Sequence, residues 1–368
     1  MNILFYTPVN FLCRDVVSLM LELKKSGHQL ILLSQIKKGS LHFYLEENHI
    51  PTYSFVSTVD FSPVKIAMQT IQLIAFCWKH KINVLFSHLE PTNLVSVIAQ
   101  YFVPSRIIIF RHHLDLAHLS NFDNSFAYRL TYRFAKTVIT VSARSKQYMA
   151  TVENINADKI HHINLGYDFD LYPDVNEATV YSINERYSAD ILLITLGRLD
   201  QFKRPHISLD ILEVLVAKHG LNAKLIFLGN GELMDEIKAE AANKKLSDFV
   251  FFPGFVENVM EYLAAGNFLI HPSLSESSSV AVKEAALVYL PVIVCKDVGD
   301  FHEYLVNDIN GFIVNQETMA DEAVQIILKN YRHEKKLRLI ADSLRAEILK
   351  KFSIKNVIQH YEKIISKE

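Results

Sequence analysis

Two α/β domains in tandem, each a doubly wound parallel sheet, are predicted from three observations. Short uninterrupted runs of Ile, Val, Leu and Phe alternate with stretches of helical periodicity, the pattern of parallel strands covered on both faces. The alternation is broken once by a polar segment and then restarts. At 368 residues the chain exceeds the usual size of one hydrophobic core.

The runs NILFYT, QLILLS, NVLFSH, RIIIFRH, TVITVSA and KIHHINLG precede residue 167 and predict six strands of a first domain, residues 1–167. The segment YDFDLYPDVNEATVYSINERYSAD, with Pro173, predicts a linker over 168–190. ILLITLG, KLIFLG, FVFFPG, NFLIHPS and PVIVC then predict five strands of a second domain, residues 191–352, separated by helical stretches such as RPHISLDILEVLVAKHG. In open parallel sheets ligands bind beyond the carboxyl ends of the strands. If these ends face inward, the two domains enclose an interdomain cleft, a common place for a small-molecule site.

Half the residues are apolar and 21% charged, the balance of a folded globular protein. Residues 1–167 hold 16 Lys and Arg against 10 Asp and Glu, or +6, and the remainder 22 against 30, or −8, matching the total of −2. A basic first half suits an anionic partner, a membrane surface or a phosphorylated acceptor. Lys65, Lys79, Lys81, Arg129, Arg133, Lys136, Arg144 and Lys146 are the candidates for a basic, partly aromatic face resting on anionic lipid, a peripheral place on the inner face of the cell membrane. Cys13, Cys77 and Cys295 lack metal-ligand spacing and cannot all pair, which fits a reducing cytoplasm. NILFYT enters a strand at once, so no signal peptide is expected. The most apolar helical stretch, KIAMQTIQLIAFCW, is shorter than a membrane span and carries Lys65, Gln69 and Gln72.

Two stretches at predicted strand ends carry chemistry. In ESSSVAVKE, between FLIHPS and LPVIV, a helix starts through Ala281, Ala285, Ala286 and Leu287, with Ser277 or Ser278 as its cap. The remaining first-turn N–H groups, under the positive end of the helix dipole, make a phosphate site. Glu276 ahead of it and Glu284 two turns inside would bracket a phosphodiester, each accepting from a sugar hydroxyl. In GRLDQFKRP, after ILLIT, Gly197 permits a tight turn from which Arg198 and Lys203 project. A guanidinium fork and an ammonium together offset a diphosphate and stabilise the charge that grows as it departs.

GRLDQFK, GNGE and PGFVENVMEYLAAGNFLIHPSLSESSSVAVKEAALVYLPVIVCKDVGDFHEYL together resemble the C-terminal domain of family 4 retaining glycosyltransferases of GT-B fold, where an Arg, a Lys five residues later, and two Glu separated by seven residues form the donor site. AKTVITVSARSKQYM and HHINLGYDFDLY resemble the same family before the linker, so the resemblance covers essentially the whole chain. It implies that Arg198 and Lys203 hold the donor diphosphate, Glu276 the hydroxyls of the transferred sugar and Glu284 the nucleotide ribose. Backbone N–H groups of Ser278 and Ser279 complete the phosphate cradle, and Gly229 and Gly231 bend the chain near the nucleotide. Phe255 and Val256 fit a base-binding segment. It also implies that SIKNVIQHYEKIISKE, the helix over 353–368, packs back onto the first domain.

For the first domain, the acceptor-binding one, the resemblance implies a histidine against the donor sugar or its phosphate. In RHHLDLAH only one of His112 and His113 faces the cleft, since neighbours on an extended chain point apart, and His112 is favoured. His88 is a third candidate. The family's Gly-Gly loop after the first strand is replaced by PVNFLCRD, where Asn10 donates instead and Arg14 contacts acceptor or phosphate. The residue after the first Glu, commonly Gly, is Ser277.

The implied reaction is retaining, metal-independent transfer of a hexosyl unit from a nucleotide-diphosphate sugar, such as a UDP- or GDP-sugar, to a glycan or lipid-linked acceptor in cell-surface polysaccharide or glycoconjugate synthesis. No nucleophilic carboxylate is placed as in retaining glycosidases, and no Asp-x-Asp metal motif, resident cofactor or nucleic-acid partner is expected. A nucleotide-sugar epimerase of the same architecture and a non-catalytic nucleotide-sugar-binding relative are the alternatives. An NAD enzyme would carry Gly-x-Gly-x-x-Gly after the first strand.

Overall fold

The computed structural model describes residues 1–55, 62–114 and 125–366. Residues 115–124, which include Asp115 and His118 of the RHHLDLAH stretch, lie outside the described residues. The chain divides into two compact units, Met1–Phe169 together with the chain from Lys351 on, and Asp170–Lys350.

The first unit runs β1 (Asn2–Thr7), α1 (Arg14–Lys25), β2 (Gln29–Ser34), α2 (Ser40–Glu47), β3 (Thr52–Ser54), α3 (Pro63–Lys79), β4 (Val84–His88), α4 (Glu90–Ala99), β5 (Arg106–Arg111), α5 (Ser125–Phe134), β6 (Val138–Thr140), α6 (Ala143–Thr151) and β7 (Ile160–His162). Its seven strands lie in the order β3-β2-β1-β4-β5-β6-β7, all parallel. Ile3 sits opposite both Leu30 and Val84, and β4 is buried along its whole length. A strand closed in this way has no solvent face to make polar, so its sequence reads as an apolar run.

The second unit runs α7 (Glu177–Tyr187), β8 (Ile191–Leu196), α8 (Pro205–Glu213, continued by a π turn), β9 (Ala223–Leu228), α9 (Met234–Asn243), β10 (Val250–Gly254), α10 (Val259–Ala265), β11 (Phe268–His271), α11 (Val280–Leu287), β12 (Val292–Cys295), β13 (Phe312–Val314), α12 (Met319–Asn330) and α13 (Glu334–Phe352), the last of which ends in the first unit. Its sheet order is β10-β9-β8-β11-β12-β13, again all parallel. Strand order reverses at β8, between β9 and β11. That switch point opens a crevice at the carboxyl ends of β8 and β11.

Two differences from the sequence expectation have a local cause. Strands β3 and β13 carry three residues each at a sheet edge, too few to show a period. Residues 168–190, expected to be a linker, carry α7. Its polar surface hides two anchors, Ile183 and Tyr187, both buried, with the Tyr187 ring edge-on to Phe251 at 4.7 Å. Asn176 caps it by accepting from the Thr179 N–H at 3.1 Å, and Ser188 ends it at φ +43°.

Helix α14 (Ile354–Ile365) belongs to the first unit and packs on α1. Its entry is a two-bond bridge, Tyr167 N–H to Phe352 C=O at 2.7 Å and Ile354 N–H to Tyr167 C=O at 2.9 Å. Gly166 allows it, since a Cβ there would come within 2.5 Å of Ile354 Cδ1. The three cysteines are free, and burial pushes the Cys13 and Cys77 thiols up to about 12. Ile354 is fully buried at this junction. Ile354→Ala is expected to lower unfolding stability by about 2–5 kcal/mol, read from urea denaturation, because the cavity adds to the lost transfer energy.

Candidate active site

The crevice of the second unit is built by loops that brace one another. Gly197 leaves β8 at φ +144°, a conformation that favours glycine. Added carbons at Gly229 and Gly231 would overlap the carbonyls of Gly197 and Leu199, so both glycines serve a close backbone approach between the loops after β8 and β9. Leu199 N–H to Asn230 C=O and Leu233 N–H to Leu199 C=O, each 3.0 Å, stitch the loops together. Asp200 Oδ1 accepts from the N–H groups of Phe202 at 3.0 Å and Lys203 at 2.9 Å, and its Oδ2 lies 3.1 Å from the largely exposed Arg198 guanidinium.

Arg204, buried at φ +48°, donates from Nε to Pro272 C=O at 2.7 Å, from one terminal nitrogen to Gln316 C=O at 3.0 Å and from the other to Cys295 Sγ at 3.1 Å. One guanidinium thus ties the chain ahead of α8 to the ends of β11, β12 and β13. That fixes the preceding residue, Lys203, whose ammonium pairs with Glu276. His271, the last residue of β11 and 2% exposed, lies with Nε2 2.9 Å from the same carboxylate oxygen, and Ser273 Oγ is 3.2 Å from it. Burial alone would raise the Glu276 pKa, but Lys203 and then His271 outweigh it and hold the carboxyl well below its usual range. The site therefore presents an ionised carboxylate and an ammonium at the head of α11.

That helix start differs from the expectation of a Ser277 or Ser278 cap. The cap position is Ser279, and no capping bond comes from its hydroxyl, which lies 3.3 Å from His271 Nε2. Ser278 donates instead to Asp300 Oδ2 at 2.6 Å, and Ser277 is buried. Local capping preference lost to a buried acceptor twenty-two residues away. First-turn N–H groups without a side-chain cap suit an anion. Glu284 sits half-buried within α11.

The structure thus gathers Arg198, Lys203, Gly229, Gly231, Glu276, Ser278 and Ser279 at one sheet edge. The residues that sequence reasoning missed are His271, Ser273, Arg204, Lys283 and Asp300. The signal available for His271 was a polar residue closing an apolar run, and for Lys283 a lone cation among Val282, Ala285 and Ala286.

In the first unit, Asn10, His112 and His113 follow β1 and β5. The Asn10 side-chain amide donates to Lys37 C=O at 2.9 Å, and the Asn10 backbone carbonyl accepts from Leu41 N–H at 2.9 Å. His112 Nε2 lies 3.1 Å from His88 Nδ1, and His113 Nε2 lies 3.5 Å from Glu90 Oε2, whose other oxygen accepts from Tyr132 Oη at 2.8 Å. Fully buried Arg111 beneath them donates to His113 C=O at 2.9 Å and to Glu153 at 2.8 Å. Among the described residues His88 Nε2 is buried with no partner, and the hydrogen bond between the two rings takes its direction from their tautomers.

Burial holds His88 well below its ordinary 6.5, with a contribution from His112, and lowers His112 to about 3, with a contribution from His113. Burial also lowers His271, against the opposing pull of Glu276. These groups bind protons better in the unfolded chain, so their stability is full above about pH 6.5 and is lost as pH falls towards the folded values. The urea midpoint is expected to fall between pH 7 and pH 5, and His112→Asn to flatten that slope.

Residues 181–343 match the family described as Glycosyl transferases group 1, and residues 14–171 match Glycosyltransferase Family 4. An uncharacterized glycosyltransferase of Methanocaldococcus jannaschii is 24% identical, over 64% of this chain and 60% of that protein, and the next two curated relatives are matched over less than half of their length. The Escherichia coli UDP-Gal:alpha-D-GlcNAc-diphosphoundecaprenol alpha-1,3-galactosyltransferase is 22% identical over 81% of this chain and 82% of its own. The structure of Anabaena HepE in complex with UDP-glucose superposes with TM-score 0.83 at 20% identity, covering 100% of this chain and 99% of that one. With both halves of the chain matched in order and each folded as a Rossmann-like parallel sheet, this protein belongs to the group 1, family 4 glycosyltransferases of GT-B fold.

Proposed function

We propose that the chain transfers a hexosyl unit, with retention and without a metal ion, from a nucleotide-diphosphate sugar to a glycan or lipid-linked acceptor. The observation that carries this reading is the Lys203–Glu276–His271 cluster at the head of α11, beside Arg198. Arg198 and Lys203 neutralise the diphosphate, and the N–H groups of Ser278 and Ser279 complete its cradle. Glu276 accepts from hydroxyls of the transferred sugar and Glu284 from the ribose. His112 is the first unit's contribution, set against the donor sugar or its phosphate. The bond from the anomeric carbon to the diphosphate oxygen breaks, and the acceptor oxygen bonds to that carbon on the same face. The acceptor proton passes to the leaving diphosphate, and the products are a glycoside and a nucleoside diphosphate. Positive charge fixed where negative charge grows lowers the barrier to this step.

A lipid-linked acceptor calls for a surface that meets the bilayer, and a cytoplasmic, peripheral location follows. Among the described residues no helix is long and apolar enough to cross a membrane. On α3, Val64, Met68, Ile71 and Trp78 are exposed at helical spacing, and Trp78 Nε1 donates to Phe102 C=O at 3.1 Å. Ile98, Tyr101, Phe102 and Phe134 continue the apolar face around a groove of about 500 Å³ between α4 and α5. Exposed Lys79, Lys81, Arg133 and Lys136 accompany it, with Lys136 Nζ 5.7 Å from the Tyr101 ring. Apolar and aromatic side chains beside cations complement an anionic lipid surface. Of the charged residues expected there, Lys65, Arg144 and Lys146 are only partly exposed.

Thermal stabilisation by a panel of nucleotide sugars, followed by product analysis, tests the reaction. UDP- or GDP-sugars are expected to raise the melting temperature, and Lys203→Ala and Glu276→Ala to cut turnover by at least a hundredfold while remaining folded by circular dichroism. Epimerised nucleotide sugar without glycoside, or binding without turnover, would overturn the transferase reading. The membrane reading predicts sedimentation with phosphatidylglycerol vesicles but not with phosphatidylcholine vesicles, reduced by salt and by Ile71→Asp with Trp78→Asp. A salt-independent second copy on this face, seen as a dimer in solution, would replace it.

A further inference from the structure

Lys283 is 1% exposed and Asp300 wholly buried, and Nζ lies 2.9 Å from Oδ2. Removing two charges from water costs several kcal/mol per ion, and an apolar pair of similar volume serves stability equally well. The pair is therefore poorly explained as a core contact, and its remaining bonds show where it is directed. Lys283 Nζ also donates to Ser278 Oγ at 2.9 Å and to Ser279 C=O at 3.1 Å, so three acceptors meet the three N–H donors of an ammonium. Ser278 Oγ in turn donates to Asp300 Oδ2 at 2.6 Å. Gly299, next to Asp300, presses on Glu276, since a Cβ there would lie 2.8 Å from Glu276 Cβ. The loop before Phe301 thus grips the serine loop at Glu276 and Ser278, while α11 grips it from below at Ser278 and Ser279.

We propose that Lys283 and Asp300 are positioning residues that clamp residues 276–279, through Ser278, in the shape that receives the donor's diphosphate. This rests on the transferase reading for its ligand but not for its geometry. The ion pair lies beneath the loop and touches no substrate atom. It acts by holding Ser278 and Ser279 so that their N–H groups and the Glu276 carboxylate need no reordering when the anion arrives.

Three variants separate positioning from mere stability. Lys283→Met with Asp300→Leu replaces the charged pair by an apolar one, Ser278→Ala removes the tie to the loop without stranding a charge, and Asp300→Asn weakens the pair alone. Hydrogen–deuterium exchange over residues 276–282, the urea midpoint and calorimetric UDP and GDP affinity are measured on each. The double variant and Ser278→Ala are expected to keep the wild-type midpoint, exchange residues 276–282 at least tenfold faster, and bind the nucleoside diphosphate about tenfold more weakly, with donor KM rising more than kcat falls. Asp300→Asn is expected to lose both midpoint and affinity. If the double variant recovers wild-type protection and affinity along with stability, the clamp is overturned and the pair is only a core contact. If Ser278→Ala leaves protection unchanged, the clamp is overturned even where the double variant does not fold. Lost protection in a protein that binds neither UDP nor GDP in its wild-type form upholds the clamp and overturns the transferase reading instead.

Discussion

The site depends on the guanidinium of Arg204. Three parallel strands end side by side at β11, β12 and β13, and the Pro272 and Gln316 carbonyls just beyond two of them and the Cys295 sulfur of the third converge on one space. Arg204 fills that space and satisfies them from one planar group, at the cost of a left-handed backbone at its own position. Because a guanidinium presents its donors in a fixed fork, a lysine could not make this tie. Lys203, Glu276 and the serine loop are referred to this point. Lys203 is its neighbour in sequence, Glu276 pairs with Lys203, and the serine loop is continuous with Glu276.

Lys203 and Glu276 neutralise each other while no ligand is bound, and His271 steadies the carboxylate from beneath. In the proposed reaction a donor with both a diphosphate and hydroxyls would exchange that one charge pairing for two contacts, whereas a bare phosphate would satisfy the ammonium and leave the carboxylate facing an anion.

How much of this could be read from the sequence followed from the range of the forces involved. Strands β1, β4 and β8 were legible because burial on both faces leaves no alternative to apolar side chains. Arg198, Lys203 and Glu276 could be placed at one sheet edge because each lies in a loop directly after a strand, whereas Glu284 lies inside α11. Local rules failed where a distant group intervened. Ser278 looked like a helix cap but answers to Asp300, and α7 looked like a linker because only Ile183 and Tyr187 of its eleven residues are buried. His271 was hidden at the end of FLIH, since nothing within the run shows that a carboxylate five residues on will come back to meet it. His113 and Glu90, twenty-three residues apart, meet only because β4 and β5 are neighbours in the sheet.

The chain leaves the first unit at Phe169 and returns to it only at Lys351, and the bridge at Tyr167 and Ser353 closes that circuit. During synthesis the seven strands of the first sheet are available long before α14 exists, an interval on the order of 10–40 s at about 5–20 residues per second. Throughout it the apolar seat beside α1 stays uncovered on a nascent chain. The amphipathic closing helix is made only after the whole second unit, so the ribosome must thread that unit before the first can seal.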